Sequence, residues 1–188
     1  MQDLFRGTLV RLAAESAEDL AQAETAWQLD SEFNRLSDSD PARLRSFAQR
    51  LKERQQRTAG AQDEAYYFFS VRALATDRLI GVTMLRVDWP NADAIFGIAI
   101  GARDHWDRGF GTQATNLTLR FAFLELNLRR VTLSLDQFNT RALCSYGKSG
   151  FQLEGSTRAD VLREGRRYSS LSMGILREEW QALQVRAR

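Results

Sequence analysis

The stretch HWDRGFGTQAT, residues 105–115, sets Gly109 and Gly111 between an apolar strand-like run and a helix-like one. Glycine is used where the chain takes a positive φ or where something must lie against the main chain. A loop that opens a helix also presents unpaired N–H groups at the positive end of the helix dipole, a ready seat for an anion. The amides of Arg108, Gly109, Phe110, Gly111 and Thr112 would face a diphosphate there, and the Arg108 side chain would add charge. The same residues also read as a plain strand-to-helix turn, and spacing alone leaves both readings open. A G-x-x-x-x-G-K-[ST] pattern is absent, which excludes a P-loop, and the full G-x-G-x-x-G is absent too.

The remaining chemistry-bearing residues are few. One cysteine, Cys144, and one histidine, His105, exclude an internal disulfide and make a Cys/His zinc site implausible, so no metal is expected. A Cys144–His105 nucleophilic pair would need a third orienting group and an exposed thiol. Cys144, mid-helix in RALCSYG, reads instead as a small buried hydrophobe. Tyr146, on the same short helix, reads by itself as a core-facing aromatic. Asp30, Glu32, Asp38 and Asp40 would suit a cationic amine or simply a solvated helix surface.

The elements that position these residues follow from patterning. TLVRLAA is a first strand and ESAEDLAQAETAWQLD a helix. Asp40 and Pro41 carry the N-cap and first-turn signals of a second helix, which runs through ARLRSFAQRLKERQQRTAG and ends at Gly60. AYYFFSVRAL, LIGVTMLRVDW and AIFGIAIG are three strands joined by the short turns ATDR and PNAD, a meander that is wrong for a dinucleotide-binding unit. Ala114, Leu117, Phe121, Leu124 and Leu128 recur at spacings of 3 and 4, one apolar face of a helix about four turns long. VTLSLD then alternates strictly, with Val131, Leu133 and Leu135 inward. Strand, helix and strand in this order imply a parallel crossover. Asn139 caps a short helix that Gly147 and Gly150 close. FQLEGSTRADVL and RRYSSLSMGIL form a second hairpin around REGR, and REEWQALQVRAR is a tail helix. Leu171, Met173 and Ile175 alternate on one face, which either the monomer core or the second copy of a homodimer would cover.

Length and composition fit this picture. The chain has 188 residues, 44% hydrophobic and 27% charged, an ordinary balance for one domain with its own core. Of 26 basic residues only Lys52 and Lys148 are lysines, and no basic run exceeds a pair, so no nucleic-acid footprint is expected. The N-terminus lacks a charged region followed by an apolar core, and no apolar run approaches the ~20 residues of a membrane span. No membrane contact is expected, and a reducing cytoplasm is the expected compartment.

The segment from IAIGARDHWDRGFGTQAT through FQLEGSTR resembles the GCN5-related N-acetyltransferases, and within them the RimJ/RimL-like branch. Three motifs carry the resemblance. The loop matches R/Q-x-x-G-x-G/A, with Trp106 in the Arg/Gln position as that branch has it. FAF-x-x-L-N-L-R-R-V follows, and then N-x-x-A-x-x-x-Y with G-F, which takes in Asn139, Ala142, Tyr146, Gly150 and Phe151. The EG-x-x-R, G-x-x-Y and M-G-I-L of the last hairpin match the branch ending. The resemblance covers about residues 79–176 and extends loosely to residue 8.

It implies a single α/β domain spanning 1–188, with a core at about 8–176 and a tail helix at 177–188. The sheet would be mixed, mostly antiparallel and twisted, with splayed parallel central strands and flanking helices. It further implies acetyl-CoA as co-substrate, bound where AIFGIAI and VTLSLD splay apart. Ile98, Ile100 and Gly101 would pair with the pantetheine amides, the loop amides would hold the pyrophosphate, and Asn139 would reach the pantetheine arm. A primary amine (a protein N-terminus, a polyamine or another small amine) would attack the thioester directly, with no acyl-enzyme. Backbone N–H groups would stabilise the oxyanion and Tyr146 would protonate the leaving thiolate. The general base stays open among Asp93, Asp104, His105 and Glu154. A non-catalytic acyl-CoA-binding module of the same fold is the alternative.

Overall fold

The computed structural model describes residues 3–37, 41–59 and 64–186. Seven strands form one sheet in the order β1-β2-β3-β4-β5-β7-β6. They are β1 (Val10–Ala13), β2 (Tyr66–Ala73), β3 (Leu79–Asp88), β4 (Asp93–Ile100), β5 (Arg130–Asp136), β6 (Gln152–Arg163) and β7 (Arg166–Leu176). Every pair is antiparallel except β4 with β5. The helices are α1 (Ala17–Trp27), α2 (Ser31–Ser37), α3 (Phe47–Ala59), α4 (Phe110–Arg120), α5 (Thr140–Lys148) and α6 (Arg177–Arg186). The expected fold class and the order of strands, crossover helix and C-terminal hairpin are thus present.

Helix α4 is the seam between two parts of the core. Ala114 and Leu117 pack with Val10, Leu12, Val71 and Ile80, while Leu119 packs with Leu85, Phe96, Leu133 and Ile175. Leu85, Leu117, Leu119 and Leu128 are almost wholly buried, each worth about 1.5–3 kcal/mol relative to exposure. The helix does not keep its period. Residues Phe121–Glu125 form a π-helical turn, closed by Leu126 N–H to the Phe121 carbonyl. The wider turn rotates Leu124 out to solvent, against the expectation from 3-and-4 spacing, and brings Phe123 inward onto Trp180.

Three local boundaries also differ. α3 starts at Phe47 and not at Pro41. The buried Gln28 side chain binds both the N–H and the carbonyl of Arg45, which takes that peptide out of any helix. Ser46 and Gln49 then form a reciprocal capping box. The Asp40 and Gly60 signals lie outside the described residues. Helix α2 is an element beyond those the patterning marks, with Asp30 as its cap, accepting from Glu32 N–H and Phe33 N–H. Finally, α5 continues through Gly147 to Lys148.

Met173 and Ile175 are buried in the monomer core, so the face expected to need a partner is largely covered. β6 forms the outer edge of the sheet. Its pairing with β7 breaks register between Leu153 and Gly155 and between Thr157 and Val161, with Ala159 at φ 55° in the second break.

Candidate active site

Strands β4 and β5 pair only over Asp93–Arg130, Ala94–Val131 and Ile95–Thr132. Beyond Ile95, β4 stays bonded to β3 as far as Ile100 but, among the described residues, has no strand on its other side. Successive backbone groups of a strand point to alternate sides, so the splay leaves a row of N–H and C=O groups facing a gap. That gap is part of a cleft of about 1680 Å³. Phe96, Gly97, Ile98, Ala99 and Ile100 form one wall, and Ser134, Leu135 and Asp136 the other. The floor is fastened by Thr83 Oγ1, which donates to the Gly97 carbonyl at 3.0 Å.

At one end of the cleft, Gly109 caps α4 with φ 84°, a backbone conformation that disfavours any side chain. The α4 cap makes no side-chain hydrogen bond among the described residues, so the first-turn amides keep their donors, and Gly109, Gly111 and Thr112 of this turn line the cleft. Thr112 Oγ1 lies 2.8 Å from Ser145 Oγ, which fixes α5 against the loop. Arg108 does not line the cleft; its guanidinium donates back to the Asp104 carbonyl at 3.1 Å. Phe110 packs edge-on against His105 and also stands behind the wall.

The other expected positions divide in the same way. Ile98 and Ile100 line the gap. Gly101 does not. It is buried, its N–H donates to the Ile80 carbonyl, and a Cβ there would sit 1.9 Å from the Trp27 ring, so this glycine admits an indole and no ligand. Asn139 lines the cleft with both ends of its amide engaged. Oδ1 accepts from Ala142 N–H at 3.1 Å as the cap of α5, and Nδ2 donates to the Leu36 carbonyl. Tyr146 lines the cleft between the two strands, its ring held edge-on by Phe96 and Phe151. Burial pushes its phenol up to about 12.

Among the candidates for a base, only His105 lines the cleft, with Nδ1 3.1 Å from an Asp104 carboxylate oxygen. Asp93 pairs with Arg129 at the closed end of the gap, and Glu154 with Arg130. Cys144 is exposed and lines the cleft, contrary to the buried position expected of it. Asp30 and Glu32 both bind Arg103, and Arg103 holds the Asp30 carboxyl well below the usual carboxylate range. Asp38 and Asp40 lie outside the described residues.

The far end of the cleft comes from elements distant in sequence. Phe33 and Leu36 of α2, Arg54 of α3, Phe68 of β2, Met84 of β3 and Phe138 line it, with Asp160 at its rim. Helix α2 spans this end, tied by Leu36 to Asn139 and by Arg35 to Glu164. Nothing in the local patterning marks these residues, because each is an ordinary apolar or charged position of its own element.

The acetyltransferase (GNAT) domain family matches residues 6–152. An N-acetyltransferase of Bacillus licheniformis, p20, is 26% identical over 183 residues, covering 96% of this chain and 99% of that protein. The spermidine N(1)-acetyltransferase of Escherichia coli is 27% identical over 101 residues, 54% of each protein. The spermidine N-acetyltransferase of Vibrio cholerae, solved with CoA and spermine, superposes with a TM-score of 0.79 at 24% identity, covering 93% of this chain and 99% of that one. A gap between splayed parallel strands, a glycine-capped helix at its mouth and a family match over most of the chain agree: the protein belongs to the acetyltransferase (GNAT) domain family and is an acetyl-CoA-dependent acyltransferase.

Proposed function

We propose that the protein transfers the acetyl group of acetyl-CoA to a primary amine of a small, cationic molecule, polyamines among the class, within a ternary complex. The observation that carries this reading is the abrupt end of β4–β5 pairing at Ile95–Thr132, with Tyr146 lining the gap it opens. The edge of β4 at Ile98 and at the Ile100 N–H pairs with the pantetheine amides like an added strand, the Ile100 carbonyl being taken by Trp106. The amides from Gly109 to Thr112 hold the diphosphate, and the β4 backbone polarises the thioester carbonyl. A phenol pushed up to about 12 stays protonated at neutral pH, so Tyr146 donates a proton to the leaving thiolate and cannot serve as base. His105, within the cleft, is the base we favour for taking the ammonium proton through water.

Support for a small acceptor comes from α2, which roofs the far end of the cleft. Apolar walls with acids at Asp136 and Asp160 suit an aliphatic amine carrying further positive charge. Trp106 in the loop motif supports placement in the RimJ/RimL-like branch. Initial rates over a grid of acetyl-CoA and amine concentrations test the proposal. Intersecting double-reciprocal lines are expected for direct attack, whereas parallel lines would mean an acyl-enzyme. Binding of CoA with no turnover of any amine would leave the non-catalytic module.

A further inference from the structure

The loop offers one cation of its own, Arg108, and the structure turns it away from the cleft. A different arginine takes the place. Arg141, in the first turn of α5, lines the cleft with its guanidinium 3.7 Å from the centre of the Trp106 ring. Trp106 is itself fixed, because its Nε1–H donates to the Ile100 carbonyl at 2.6 Å. The guanidinium carbon sits over the indole, and an arginine that rests on an aromatic face keeps N–H donors at its edge with which to meet an anion.

The nearest acids do not consume that edge. Glu32 and Asp107 each stand 3.7 Å from an Arg141 nitrogen, beyond hydrogen-bond distance. Glu32 has a closer partner in Arg103 at 2.7 Å, and the Asp107 side chain is mostly solvated. Giving Arg141 up to another anion therefore costs these acids little. Arg103 lies against the same ring at 4.8 Å but is engaged by Asp30 and Glu32. Of the other cations that line the cleft, Arg54 pairs with Glu24 and Lys148 lies two turns further along α5, so Arg141 is the one that stands on the loop indole.

We infer that Arg141, stacked on Trp106, is a ligand of the cofactor's diphosphate and closes over it opposite the α4 amides. The inference rests on the transferase reading above. It assigns to α5 a charge that the loop itself does not deliver, and explains why an indole can occupy the Arg/Gln position of the loop motif.

The test is calorimetric titration of wild type, Arg141→Gln and Arg141→Lys with CoA and with 3′-dephospho-CoA, which keeps the diphosphate. Turnover of S-acetylpantetheine, which lacks it, is measured in parallel. Arg141→Gln should lose about tenfold in affinity for both CoA forms, the scale of one charged hydrogen-bonded contact. Its S-acetylpantetheine turnover should equal wild type, and Arg141→Lys should recover only part of the loss. Unchanged affinity in Arg141→Gln overturns the inference while leaving the transferase intact. A loss confined to CoA moves the contact to the 3′-phosphate and overturns it as well. Equal losses with S-acetylpantetheine mark a merely structural role and do the same. Failure of the wild type to bind CoA removes the transferase reading itself.

Discussion

The two ends of the cleft are built on different principles. The end beside α4 is made of backbone: a strand edge without a partner, a glycine at positive φ and a helix start without a side-chain cap. The end beneath α2 is made of side chains from four elements and a turn, with Phe33, Arg54, Phe68, Met84 and Phe138 arriving from separate parts of the chain. Backbone sites recognise what every acetyl-CoA has in common and tolerate change around them. Side-chain sites select, and can be rebuilt without touching the first. Changes at one end should therefore alter one ligand only.

The sharpest way to break that division is Gly109→Val. A β-branched residue at φ 84° costs about 1–3 kcal/mol and sets a side chain beside Leu9 in the cleft lining, so the loop can no longer keep its shape. CoA affinity should fall by about 100-fold or more in a titration, with a thermal melt confirming the fold. Affinity equal to wild type would return the loop to a simple turn. Tyr146→Phe comes next. The ring keeps its packing on Phe96 and Phe151, so kcat should drop about 100-fold with CoA affinity unchanged. A kcat near wild type ends the assignment of Tyr146 as acid.

Met84→Ala, at the acceptor end, should raise the amine KM several-fold and leave CoA binding untouched. An equal effect on both ligands would mean that the ends are not separable. Asn139→Ala tests their junction, because one amide caps α5 and also holds Leu36 of α2. It should cost about 1 kcal/mol of stability and weaken both ligands a few-fold. The smallest effect is alkaline. The unfolded phenol releases its proton near 10 and the folded one near 12, so stability contributed by Tyr146 is full below about pH 10 and declines as pH rises toward 12. Melts of Tyr146→Phe should show a shallower decline over that window.

The same division explains what could be read without coordinates. Strand alternation at Val131, Leu133 and Leu135, the Asn139 cap and the glycines of the loop are local signals, and each has its expected place. The acceptor end has no local signal. Leu36 and Met84 become neighbours of one cleft only after the sheet has formed. Gly101 misled for a related reason: a glycine needed for close approach looks the same whether the visitor is a cofactor or the Trp27 indole. Leu124 misled because a five-residue turn is invisible to a 3.6-residue template.

The outer strand β6 has a consequence of another kind. Twelve residues of sheet edge, almost all exposed, are an invitation to strand-by-strand growth between molecules. An incoming strand would have to follow a ladder that loses step twice, at Leu153/Gly155 and again around Ala159. Each break re-aims the backbone and ends the run of matching donors and acceptors before a stable pairing can accumulate. The irregularities of β6 thus interrupt the edge as a template for strand-by-strand growth, beside the charges of Glu154, Arg158, Asp160 and Arg163 on the same strand.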